Sequence, residues 1–355
     1  MLTSTNFNFM GAILPRWEGD PSIHLRARNL REEHVDADWW NPRNTVLDRL
    51  REDAVQVPDF LREDLEWADV VYVEWGEALA ARLSGARFSA KLVVRLHRYE
   101  AFTSTPTLTD WNGVHDLVII TPYIREVLRR TIPDIEERTS IRLVPNVVEL
   151  ARFNAPKLPA ASRNLALVQF YSMVKDPLWA LDVLRLLHRE DPSWKLLLIG
   201  SASRAAEEDE ATRRYLDELD RRIHAFGDSV QHLGHRSDLP EVMRSVGVIM
   251  SSSLVEGAPV SLQEGIASGA LPVVRDWPIV KPLDAAAQLY PEPWIAETPE
   301  QAAERILAWA PPAGEIADDK DAREWIVEHF DATVTSAELN DVVFHSTSHR
   351  SDTRH

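Results

Sequence analysis

Ser251–Val274 reads SSSLVEGAPVSLQEGIASGALPVV. The apolar, β-branched ends and the helix that Pro259 and Ser261 introduce, stopped by Gly269, spell strand, turn, helix, strand. Two carboxylates stand in the segment with seven residues between them, Glu256 on the turn and Glu264 one turn into that helix. Both can face one ligand at the carboxyl end of the first strand, the edge at which doubly wound sheets bind. The backbone of Gly257, Ala258, Pro259, Val260 and Ser261 brings a helix start to that edge, and its amide groups and partial positive charge suit a nucleotide diphosphate. Gly257 carries no side chain to keep such a ligand away. Glu264 can accept hydrogen bonds from a ribose diol, which leaves Glu256 nearer to whatever the diphosphate carries. A plainer reading competes: Ser261-Leu262-Gln263-Glu264 also spells a capping box, in which the glutamate only reaches back to the cap.

Working outward, short apolar runs rich in β-branched residues recur along the chain, each followed by a helical pattern, as parallel βαβ units require. Strands are predicted at Ala68–Glu74, Lys91–His97, Asp116–Thr121, Asn164–Phe170, Lys195–Gly200, Gly247–Ser251 and Leu271–Val274. The clearest helix is Pro177–Arg189, with Leu178, Ala180, Leu181, Val183, Leu184 and Leu187 on one stripe and proline in the first turn. Further helices are predicted at Ala211–Phe226, Ala322–Phe330 and Ser336–Val343. Ala155–Ser162, with Pro156 and Pro159 and no period, reads as a linker. The prediction is an α/β chain of two doubly wound domains: residues 1–153, completed by a carboxyl-terminal helix within 322–345, then residues 154–321, and a disordered tail at 346–355.

Bulk properties bound the function. A chain of 355 residues exceeds one ordinary core and fits two domains. With 39 basic and 56 acidic residues, the formal charge of −17 repels a nucleic-acid backbone over most of the surface, while leaving a nucleotide in a local basic site possible. The absence of cysteine excludes disulfides, thiolate nucleophiles and cysteine zinc sites. No signal peptide is read at the start and no run reaches the ~20 apolar residues of a membrane span, so a cytoplasmic protein is expected, with peripheral membrane contact left open. Asp36-Ala37-Asp38 has no strand before it and reads as a solvated turn, and no cluster of His, Asp or Glu has metal-ligand spacing. Phosphate-loop and dinucleotide glycine motifs are missing.

The Ser251–Val274 segment closely resembles the Glu-x7-Glu motif of retaining glycosyltransferases of family 4, with Ser253, Glu256, Gly257, Pro259, Glu264, Ala267, Gly269, Pro272 and Val273 in place and Gly265 where alanine is usual. Val144-Pro145-Asn146-Val147-Val148-Glu149, followed by Phe153, is similar to the hinge phrase of that family, with Val147 replacing a glycine. Lys175, between a predicted strand and helix in YSMVKDP, resembles the lysine of the family's Gly-Arg-x4-Lys phosphate grip, whose arginine is absent: Phe170, Tyr171 and Ser172 fill the places where it would fall. His97 ends a predicted strand where family members place a histidine against the donor sugar.

The resemblance implies a GT-B fold, two Rossmann-like domains facing across a cleft, and a metal-independent transferase that keeps the anomeric configuration of a nucleotide-diphosphate sugar. The acceptor would be a glycan, a lipid-linked species or a small molecule. Glu256, Lys175 and His97 become the implied catalytic set. Donor binding is assigned to Glu264, the Gly257–Ser261 backbone, Asn146 and, by position beside Gly11 and Gly19, Arg16. Glu74-Trp75-Gly76 are candidates for the acceptor side. A sugar-nucleotide epimerase of the same fold and a non-catalytic nucleotide-sugar-binding subunit remain alternatives.

Overall fold

A computed structural model describes residues 1–51, 55–204 and 209–345; the tail predicted at 346–355 lies outside the described residues. The chain forms two compact units, Met1–Val147 with the segment from Ala332 onward, and Val148–Asp331.

The first unit holds a parallel six-stranded sheet: β1 (Leu2–Thr3), β2 (Arg28–Asn29), β3 (Val70–Glu74), β4 (Lys91–Leu96), β5 (Asp116–Ile119) and β6 (Ser140–Leu143), in spatial order 2-1-3-4-5-6. The second unit holds another: β7 (Asn164–Val168), β8 (Lys195–Ile199), β9 (Val230–Gly234), β10 (Val248–Ser251), β11 (Leu271–Arg275) and β12 (Ile295–Ala296), in order 12-11-10-7-8-9. Counted within the unit, the latter is the 3-2-1-4-5-6 order of dinucleotide-binding sheets. Its order reverses between β7 and β10, which pair through Val248 with Leu165 and Ile249 with Ala166.

Each predicted strand exists, ending within a few residues of the expected place. The Pro177–Leu187 helix buries Trp179, Ala180, Leu181, Val183, Leu184 and Leu187 against Leu165, Leu196 and Leu198 of the sheet. The expected boundaries shift. The units divide between Val147 and Val148, and the helix Lys320–Phe330 belongs to the second unit, where it packs against the helix Val260–Ala267 and buries Ala322, Ile326 and Phe330. Only the next segment returns to the first unit: Ala332, Leu339, Val342 and Val343 join Met10, Ile13, Trp17 and Tyr72 in its core. Apolar side chains decide this division, because each helix goes where its buried stripe finds a partner.

Candidate functional site

The second sheet reverses its order between β7 and β10, and the loops leaving those strands gather the expected residues. β7 runs into Gln169-Phe170-Tyr171-Ser172 and the turn Met173–Lys175; β10 runs into Ser251-Ser252-Ser253 and the turn that holds Glu256. The loops are stitched together. Ser252 Oγ donates to the Lys175 carbonyl at 2.6 Å, and the Leu254 amide donates to the Val174 carbonyl at 2.8 Å. Leu167, Val168, Phe170, Ser261 and Leu262 join Lys175 and Glu256 around a narrow slot of only about 10 Å³.

The slot is narrow because its charges meet. Lys175 Nζ donates to Glu256 Oε1 at 2.6 Å, and Ser253 Oγ donates to the same oxygen at 2.6 Å. The ammonium keeps 27% of its side-chain surface exposed and the carboxylate 10%, so an anion approaching from solvent meets the lysine first. Asp176 follows the lysine in the chain. Its backbone is left-handed, φ 40°, a costly conformation for a residue with a side chain, and its carboxylate accepts from Arg275 Nη1 at 2.5 Å and from Tyr215 at 2.6 Å. Arg275 Nη1 also donates to the Ser252 carbonyl at 3.1 Å, joining the end of β11 to both loops. The sequence reading missed Asp176, Tyr215 and Arg275, since a strand-end arginine and a tyrosine 39 residues further along the chain carry no local pattern.

The helix of the two-carboxylate segment runs from Val260 to Ala267 with Pro259 at its cap. No side chain caps it, so the capping box that Ser261 and Glu264 spell does not form. Glu264 is half-buried, and burial pushes its carboxyl up to about 7 against the pull of Arg152. Gly265, the departure from alanine, has a steric reason: a Cβ there would lie 2.5 Å from Ile249 Cγ1, so the helix rests directly on β10.

In the first unit the expected residues separate. His97 is buried, its ring stacked between Phe9 (4.6 Å between centroids) and Trp75 (4.5 Å), with Nε2 2.8 Å from Glu74 Oε1. Glu74 also accepts from Tyr72 at 2.9 Å and faces Arg95, and these neighbours hold its carboxyl below the usual range although burial alone would raise it. Asn146 is likewise buried and accepts from Arg95 Nη2 at 3.0 Å. Both polar side chains are turned into the interior of the unit, where they brace β3, β4 and the segment before Val147. Arg16 sits exposed on the short helix Leu14–Gly19, donating to the Ala12 carbonyl. In place of the grip's arginine, Phe170 is buried, edge-on to Tyr171 and His232. Among the described residues no group of three or more His, Asp or Glu is gathered to hold a metal ion, and no helix is long and apolar enough to cross a membrane.

Comparison with known proteins bears on this arrangement. Residues 163–308, less than half of the chain, match the family model Glycosyl transferases group 1. No curated relative matches the sequence. Solved structures match the fold. The complex of Anabaena HepE with UDP and glucose superposes with a TM-score of 0.66 at 15% identity, over 96% of this chain and 98% of that one. The trehalose-6-phosphate synthase OtsA gives 0.62 at 15% identity, over 91% and 86%. TarM gives 0.62 at 15% identity over 81% of this chain, which spans only 57% of TarM. The fold is GT-B, two Rossmann-like units, and the segment similar to the group 1 model lies in the second unit.

Proposed function

We propose that this chain is a retaining, metal-independent glycosyltransferase that takes its sugar from a nucleotide-diphosphate donor and passes it to a glycan, lipid-linked or small-molecule hydroxyl in the cytoplasm. The observation that carries the reading is the meeting of Lys175 and Glu256 at the β7/β10 reversal, beside the uncapped start of the Val260–Ala267 helix. A UDP-sugar is the first donor to try, since HepE was solved with UDP and glucose.

On this reading the donor's diphosphate parts the ion pair. Lys175 and the helix-start amides around Gly257–Ser261 then neutralise the charge that grows on the leaving phosphate as the glycosidic bond breaks. Glu264 holds the ribose diol, and Glu256, released from Lys175, contacts the sugar. The acceptor oxygen bonds to the anomeric carbon on the face from which the diphosphate departs, and its proton passes to the departing phosphate oxygen. His97 acts from beneath, keeping Trp75 and the end of β4 in place, and Asn146 and Arg16 take supporting roles in the first unit.

The test compares wild type with Glu256→Gln and Lys175→Ala. The pair now competes with the ligand, so Glu256→Gln is expected to bind UDP about fivefold more tightly, roughly the 1 kcal/mol of a partly exposed ion pair, while sugar transfer falls. Lys175→Ala should lose both UDP affinity and turnover, and a chelator should leave turnover unchanged. Calorimetry with UDP and a transfer assay read these out. UDP affinity indifferent to both substitutions would remove the proposal, and UDP binding without transfer or donor hydrolysis would favour a binding subunit, a reading to which the buried Phe170 lends support.

A further inference from the structure

The first sheet has its own reversal of order, between β1 and β3, and a cavity of about 620 Å³ opens at the carboxyl ends of β1, β2 and β3. That is the place where an open parallel sheet takes its ligand, and the volume is that of an ordinary small-molecule site. It lies wholly within the first unit. Ser4 and Thr5 follow β1, Arg31 and His34 follow β2, Trp40 closes one side and Glu77 follows β3.

We propose that this cavity binds a neutral sugar ring of the acceptor, with Trp40 as the stacking face and Glu77 as the acceptor of ring hydroxyls. The inference rests on the glycosyltransferase reading and gives the acceptor its chemical class. Trp40 is half-exposed, and an indole with one face to solvent offers an apolar plate of the kind that covers the C–H face of a pyranose. Glu77 is half-buried and oriented by the Thr5 hydroxyl, which donates to its Oε2. A carboxylate held in this way accepts from adjacent sugar hydroxyls, and Ser4, Arg31 and His34 supply donors for ring and hydroxyl oxygens.

Charge sets the class. The segment that brings Arg31 and His34 also carries Glu32, Asp36 and Asp38, all exposed, and with Glu77 these carboxylates disfavour an acidic sugar. His34 holds a left-handed backbone, φ 54°, as the segment folds over the cavity.

Saturation-transfer NMR on the full chain, with and without UDP, tests this using methyl glycosides of glucose, galactose, mannose and N-acetylglucosamine, and methyl glucuronide as the acidic control. At least one neutral glycoside should bind, and Trp40→Ala or Glu77→Gln should each weaken it about tenfold, the scale of one aromatic or hydrogen-bonded contact. Trp40→Phe should keep most of the affinity, and UDP affinity should stay constant throughout, which shows that the variants are folded. The proposal is overturned if UDP binds but no neutral glycoside does, if the neutral glycoside binds both variants like wild type, or if the glucuronide binds more tightly. Glycoside binding that responds to Trp40 and Glu77 in a chain that ignores UDP would keep the sugar site and overturn the glycosyltransferase reading instead.

Discussion

Glu264 shows how one side chain's surroundings set a testable property. Burial raises its carboxyl to about 7 from an ordinary 4.5. Because the folded value lies above the unfolded one, its contribution to stability is fully present below pH 4.5 and is lost as pH rises through about 7. Ligand binding runs the other way, since the ionised carboxylate accepts from both hydroxyls of a ribose diol more strongly than the protonated acid does. Between pH 6 and pH 8 the ionised fraction climbs from about a tenth to about nine tenths, so affinity for a UDP-sugar should rise by up to about tenfold. A nucleotide sugar is the right probe because its diphosphate does not itself titrate in this range. Glu264→Gln should flatten the profile; a profile as steep as that of wild type would show that another group is responsible. The sequence placed Glu264 on the correct helix but left it torn between ribose and capping box. Pro259 takes the cap and Ser261 lies two positions beyond it, so the capping box does not form, and the ribose role is what the pH profile tests.

Among elements, the loop after β7 owes its shape to other strands. Arg275, at the end of β11, bonds to Asp176 and to the Ser252 carbonyl, and Asp176 is the left-handed residue that follows Lys175 in the chain. If Arg275 acts through Lys175, Arg275→Ala should weaken UDP binding about fivefold in the wild type, within the 0.5–3 kcal/mol usual for coupled neighbours, and should do nothing further in a Lys175→Ala background. A purely structural arginine would give equal losses in both backgrounds, so calorimetry on the four proteins separates the two roles. Such braces are invisible in sequence because they join residues distant along the chain, 99 positions apart for Arg275 and Asp176. The strands that escaped prediction share a different cause. β1, β2 and β12 are two residues each, and β6 and β9 lie at sheet edges with mostly exposed or half-exposed residues, so neither length nor an apolar run marks them. The central strands β3, β4, β5, β7, β8, β10 and β11 are buried on both faces and were legible for that reason.

At the scale of the whole molecule, a net charge of −17 opposes any anionic ligand at long range, so on the proposed reading donor binding is decided by the few cations placed at the sheet edge. Two units with separate cores, joined where the chain crosses at Val147–Val148 and again at Asp331–Ala332, give this a spatial signature. A ligand held by one unit stabilises that unit's folded state by mass action, about 2.7 kcal/mol at a hundredfold excess over Kd. UDP alone should therefore slow amide hydrogen exchange in the second unit, most of all in Val168–Pro177 and Ser251–Ile266, while β1 to β5 of the first unit exchange at their original rates. The same experiment with a neutral methyl glycoside should reverse the pattern, with protection at Ser4–Thr5, Arg31–Trp40 and the start of the helix after Glu77, and β7 and β10 unaffected. Protection by UDP confined to the first unit would place the nucleotide at the β1/β3 reversal. Lys175, Glu256 and Glu264 would then lose their roles, since only the sheet edge that holds the diphosphate can carry them.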